Sequence, residues 1–231
     1  MWSPPCTLTC THAQSLQSSG VKFVQISRGF TLSTTVHCHL QGDTSAETLD
    51  PQLSFVDRKG ETLIKTAGEV AGRDFVLARL RDCIIFIADT CGAVRADRLE
   101  NCKVYIGPTR SLLVEKLDAT TLAVAAQQLR IHSATDCNFC VRMRSGPIIE
   151  HTTNVRFAPY NFSYPALDVH LLAFGLGTEN GVWSKVEDFN WLRARQSPNW
   201  SVMDESVRPP QVMAPAAAGI EWCGESIPDE M

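Results

Sequence analysis

Four groups of residues in this sequence combine types and spacings that could do chemistry. Cys137-Asn138-Phe139-Cys140 has the spacing of redox and zinc sites. On an extended strand its two thiols point to opposite faces, and no second pair lies nearby, so it reads as core packing. His37-Cys38-His39 puts two imidazoles on one strand face but brings no third ligand, so it reads as a solvated face. Asp97, Glu115 and Glu150 are carboxylates of the kind that a carbohydrate-active acid/base pair requires. The fourth group is Arg130 with Gln128, His132 and Glu150. An outward arginine is usually solvated, and a surface Arg–Glu pair contributes about 0–1 kcal/mol. No Gly-rich phosphate loop is present, so the chain is expected to bind no nucleotide itself, and no cofactor or metal ion is expected either.

The elements that position these residues come from a repeat. Asp82-Cys83, Asn101-Cys102, Ala119-Thr120, Asp136-Cys137 and Asn154-Val155 recur at steps of 19, 18, 17 and 18 residues. After each anchor, alternate positions line up: Cys83, Ile85, Ile87; Cys102, Val104, Ile106; Thr120, Leu122, Val124; Cys137, Phe139, Val141; Val155, Phe157. Eight and six residues before each anchor lie Phe75, Leu77; Val94, Ala96; Leu112, Val114; Leu129, Ile131; Pro147, Ile149. Three residues before it lie Leu80, Leu99, Leu117, Ala134 and Thr152. Three columns at one period mean coils of short strands that bury their apolar face only by stacking. The fold class is all-β: a right-handed parallel β-helix of about five coils, roughly 24 Å tall at about 4.8 Å per strand. Period-2 alternation recurs on every coil and no 3.6-residue stripe does, which excludes a helical repeat.

This register turns Gln128, Arg130 and His132 outward on one strand. Arg130 falls between Leu113 and Ile148, while Asp97, Glu115, His132 and Glu150 form the adjacent column. Glu150 lies diagonal to Arg130, within reach of a long side chain. Outward Leu113 and Ile148 are unexpected on a face that meets only water and point to an interface.

Around the repeat, residues 1–20 read as a loose arm, 21–64 as an extension of strands, 65–203 as the β-helix with its cap, and 204–231 as a flexible tail. Ser184 and Glu187 have capping-box spacing, and Val186, Phe189 and Leu192 follow on one face. A short helix is therefore expected up to Ser197-Pro198, capping the solenoid with Trp191 and Trp200. The net charge is −4, a poor basis for nucleic-acid binding. No apolar run spans a bilayer, and neither a signal peptide nor a lipidation motif is visible. A cytosolic chain with its nine cysteines reduced is expected.

Gln127-Gln128-Leu129-Arg130, Arg144-Ser145-Gly146-Pro147-Ile148-Ile149-Glu150, Arg156-Phe157-Ala158-Pro159-Tyr160 and Ser163-Tyr164-Pro165 together resemble the C-terminal domain of the tubulin-binding cofactor C family. Asp188-Phe189-Asn190-Trp191-Leu192 and Ser197-Pro198-Asn199-Trp200-Ser201 are similar to it as well. The resemblance implies a β-helix core and a GTPase-activating function through the arginine of a Gln-x-Arg motif. Carried over, the catalytic residues are Arg130 and Gln128, with Glu150 holding the arginine. Leu113, Ile148 and His132 would then contact the partner. The implied partner is the αβ-tubulin heterodimer with GTP on its β subunit, acting with tubulin cofactors D and E, in the cytoplasm near the cytoskeleton. An Arf-like small GTPase is the alternative, because the related retinitis pigmentosa GTPase-activating protein uses the same arginine. A non-catalytic scaffold is the remaining class. Family members typically carry an N-terminal helical domain, whereas residues 1–65 here show no long helical period.

Overall fold

The computed structural model describes residues 49–178 and 181–215. The expected arm, His37 and His39, most of the 21–64 extension and the end of the tail lie outside the described residues. Strands β1 (Ser54–Val56), β2 (Thr62–Lys65), β3 (Phe75–Arg81), β4 (Ile84–Ile87), β5 (Cys91–Glu100), β6 (Lys103–Asp118), β7 (Thr121–Thr135), β8 (Asn138–Met143), β9 (Ile148–Glu150) and β10 (Val155–Pro159) follow one another around the coils. After them come β11 (Phe162–Ser163), helix α1 (Leu167–Ala173), β12 (Glu187–Asp188), β13 (Trp200–Val202) and β14 (Val212–Met213). Each strand pairs in parallel with its counterpart one coil away. The result is a parallel β-solenoid of about six turns. The ladder extends below residue 65, where β1 pairs β3 and β2 pairs β4. It extends beyond Pro159 as well, where β12 pairs β9 and β13 pairs β10.

The chain turns at two stacked columns of left-handed residues. Arg79, Arg98, Lys116, Ser133 and His151 form one, and Asp82, Asn101, Ala119, Asp136 and Asn154 the other, with φ between 46° and 61°. That backbone costs an L-residue roughly 1–2 kcal/mol, and Asn and Asp tolerate it best because their side chains bond locally. Here they also bond to one another: Asn101 Nδ2 donates to Asp82 Oδ1 at 2.8 Å, and Asn154 donates to Asp136. Ala119 is the member of its column that has neither a side-chain bond nor a left-handed preference.

All three predicted columns are interior, from Phe75 and Leu77 through Leu80, Cys83 and Ile85 to Phe157. The shortening of the coil from 18 to 17 residues is absorbed at Gly107, where the register jumps from Ile106↔Val124 to Pro108↔Ala125. A Cβ on Gly107 would overlap the Asp89 carbonyl and the Tyr164 hydroxyl, so only glycine fits there. One coil before this bend, the buried Asp89 carboxylate accepts four backbone N–H groups. Gly68, Val70 and Ala71 reach one oxygen at 3.0, 2.9 and 2.7 Å, and Thr90 the other at 2.8 Å.

A second apolar cluster lies outside the coils. Phe86, Tyr105, Ala123, Cys140 and Ala158 point outward on one side, and Phe162, Tyr164 and Met203 cover them. Phe86 and Tyr105 stack with centroids 5.2 Å apart. Tyr160 Oη donates to the Ile106 carbonyl at 2.9 Å, and Gln127 Nε2 donates to the Phe174 carbonyl at 2.9 Å, fastening the segment around α1 to the solenoid.

The helix expected from Ser184 up to Ser197-Pro198 does not form. A short 3-10 turn spans Val182–Ser184, and Glu187–Asp188 is a strand. Capping-box geometry would direct the Glu187 N–H to Ser184, but that N–H donates to the Pro147 carbonyl at 2.9 Å, and Ser184 Oγ donates to Gly181 at 3.0 Å. The last coil offers an unpaired backbone edge, which rewards an added strand more than three apolar residues reward a lone short helix. The end of the core is instead met by Trp183, Val186 and Trp200. Phe189 and Leu192 stay exposed, and Trp191 lies near Arg193 and Arg195. The one α-helix among the described residues, α1, packs on the second cluster's side through Leu167.

Two substitutions report on this scaffold. Asp89→Ala strips four N–H groups of their acceptor and is expected to cost about 3 kcal/mol, lowering Tm by about 6–12 °C. Ala119→Asn supplies the missing corner preference and is expected to raise Tm by about 2–4 °C. Thermal unfolding of the two variants checks both.

Candidate functional site

β7 carries the site because its alternation buries Leu129 and Ile131 and turns Gln128, Arg130 and His132 outward. Gln128 pairs Ser111; Arg130 pairs Leu113 on one side and Ile148 on the other; His132 pairs Glu115 and Glu150. The structure thus brings all six predicted site residues to one outward face of three adjacent strands, β6, β7 and β9. Gln128 and Arg130 are exposed, and Leu113, His132, Ile148 and Glu150 are half-buried. Arg130 makes no ion pair or hydrogen bond among the described residues. Glu150 stands on the predicted diagonal, one coil on and two residues further along, without an ion pair to Arg130 in this structure. The His132 ring meets His151 edge to face at 5.2 Å.

An ion pair that the sequence reading missed occupies the same diagonal two coils earlier. Arg95 pairs Leu113 in register, and its Nε and Nη2 reach Glu115 Oε2 at 2.9 and 2.8 Å. Side-chain exposures of 17% and 27% make this pair more sheltered than an ordinary surface pair. The signal was present in the spacing: Arg95 and Glu115 are 20 residues apart, as are Arg130 and Glu150. Glu187 was missed too. As part of β12 it pairs Ile148, adding a strand beside the site. Gly146 permits this, since a Cβ there would collide with the Lys185 carbonyl.

The remaining candidates resolve into structure. Asp97 is held by Arg98 at 2.7 Å and Glu115 by Arg95, which leaves no pair of free carboxylates among the three proposed for acid/base work. Cys137 belongs to the interior and Cys140 to the outer cluster, so the two thiols face opposite ways as expected. Among the described residues no cluster of three His, Cys, Asp or Glu side chains could hold a metal ion, and no helix is long and apolar enough to cross a membrane. The five described cysteines, Cys83, Cys91, Cys102, Cys137 and Cys140, are free and buried.

Fold and site together define a parallel β-solenoid that presents an exposed arginine, flanked by apolar residues, from one strand of a continuous ladder. A family described as Tubulin binding cofactor C matches residues 72–189, and the chain belongs to that family. It is 41% identical over 153 residues to the Tubulin-folding cofactor C of Arabidopsis thaliana, covering 66% of this chain and 44% of that protein. It is 36% identical over 156 residues to the Tubulin-specific chaperone C of Homo sapiens, covering 67% and 45%. Protein XRP2 of Mus musculus is 30% identical over 162 residues, covering 69% and 46%. The chain spans less than half the length of these relatives.

Burial pushes the Cys137 and Cys140 thiols up to about 11 and Cys91 to about 12. An unfolded thiol ionises near about 8.5. Because the folded-state values are raised, the stabilisation is full below the unfolded value and is lost as pH rises toward the folded ones. The urea midpoint is expected to hold from about pH 6 to 8 and to fall between about pH 9 and 11. Mass spectrometry after iodoacetamide treatment at neutral pH should find these three thiols modified only in the unfolded chain.

Proposed function

We propose that this protein is a GTPase-activating factor in tubulin folding, and that Arg130 is the residue it inserts beside the nucleotide of its partner. The observation that carries this reading is the position of Arg130: exposed, without an ion pair among the described residues, and in register between half-buried Leu113 and Ile148. The tubulin assignment is supported by the names of the plant and human relatives. On this reading the partner is the αβ heterodimer with GTP on its β subunit, engaged together with cofactors D and E in the cytoplasm.

GTP hydrolysis builds negative charge on the oxygens of the transferring phosphoryl group, and an arginine supplied in trans raises the rate by about 10³–10⁵. A planar guanidinium that never deprotonates suits the task better than lysine, and a loosely held finger loses much of its effect. β7 supplies the necessary stiffness, because its backbone is paired on both sides of Arg130. On this reading Glu150 accepts the guanidinium from one coil on, Gln128 reaches the nucleotide region, and Leu113, Ile148 and His132 dock the GTPase. An Arf-like small GTPase remains the alternative substrate, since the same arginine would act on the same γ-phosphate chemistry.

GTP hydrolysis by tubulin, with cofactors D and E present, tests the reading. Arg130→Ala is expected to lower the stimulated rate by about 10³-fold at unchanged Tm, and Glu150→Gln by about tenfold through misplacement of the guanidinium. Equal stimulation by wild type and Arg130→Ala would overturn the mechanism. Stimulation of an Arf-like GTPase but not of tubulin would move the reading to that partner.

A further inference from the structure

Arg130 is flanked by two carboxylates. Its register neighbours are Leu113 and Ile148, so Glu115 and Glu150, two residues beyond them, are its diagonal neighbours on the preceding and following coils. Diagonal positions about 7–8 Å apart are within reach of a long side chain. Left to themselves, the two carboxylates would compete for one guanidinium and pull it in opposite directions along the solenoid. One of them is already taken: Arg95 approaches Glu115 from the far side and binds Oε2 through both Nε and Nη2.

We propose that Arg95 is a positioning residue for Arg130, acting by keeping Glu115 occupied so that Glu150 is the carboxylate open to the arginine. This rests on the reading of Arg130 as the catalytic arginine. The geometry favours it in two ways. The Arg95–Glu115 pair has the same diagonal step of 20 residues as Arg130–Glu150, so the ladder demonstrably brings such a pair into contact. The Arg95–Glu115 pair is also sheltered, with side-chain exposures of 17% and 27%, so it holds Glu115 better than an ordinary surface pair would.

The test uses the full chain in four forms: wild type, Arg95→Ala, Glu115→Gln and Arg95→Ala with Glu115→Gln. Arg95→Ala should reduce GTPase stimulation about two- to fivefold, the population shift that one partly exposed ion pair supports. The double variant should recover the wild-type rate, because an amide no longer captures Arg130. A docking or merely structural role for Arg95 predicts no such rescue. In parallel, solvent exchange of the Arg130 side-chain Nε–H, read by nitrogen-15 NMR, should slow in Arg95→Ala and return to its wild-type rate in the double variant. Unchanged exchange in Arg95→Ala overturns the proposal whatever the GTPase assay gives. Slowed exchange without any GTPase effect instead removes Arg130 from catalysis and leaves the competition between the two carboxylates standing.

Discussion

A single coil of this chain cannot bury Ile85 or Val104 by itself, nor can it satisfy its own backbone. Both tasks fall to the coil above and the coil below, and parallel pairing makes them one task. Once Ile85 is in register with Val104, the hydrogen bonds, the apolar stack and the corner residues are all fixed together. A slip of one residue would turn the whole interior set outward. That rigidity of register is what places Leu113, Arg130 and Ile148 side by side although they are 17 and 18 residues apart. The site is a property of the stacking, with no loop involved in bringing its members together.

The constraint explains what could be read from the sequence. Three columns of apolar residues at one period, with alternation inside each coil, admit one architecture, and the outward set follows from it by parity. Arg130, its two register neighbours and the polar column beside it were therefore legible without coordinates. The resemblance carried by the Gln-x-Arg and Arg-Ser-Gly-Pro segments added a role for the arginine that parity could not supply.

Residues outside the period were harder to read. Val186, Phe189 and Leu192 are spaced as a helix would space them, but the free edge of β9 captures Glu187 and Asp188 as a strand. Local pattern favoured one state and a tertiary partner selected another. Asp89 looks like any loop carboxylate until the fold brings Gly68, Val70 and Ala71 to it from 18 to 21 residues away. Phe86 and Tyr105 occupy positions that parity assigns to the surface, and only the return of the segment from Tyr160 onward buries them. The Arg95–Glu115 pair was hidden for a different reason: its spacing is legible only as a repeat of the Arg130–Glu150 spacing.

The bulge at Gly107 has a bearing on how such a protein tolerates change in length. The coil gives up a residue at this bend, and the ladder resumes at once, with Pro108 opposite Ala125, before reaching Leu113 and Arg130. Length variation and arginine presentation are thus assigned to different stretches of the same coil. A lineage can add or drop a residue near this bend and leave the spatial relation of Arg130 to Leu113 untouched, whereas the same event between Gln128 and His132 would reverse the face on which the arginine emerges. Deletions and insertions across relatives should accordingly gather at the bends and spare the β7 stretch, a bias set by strand parity before selection on activity begins.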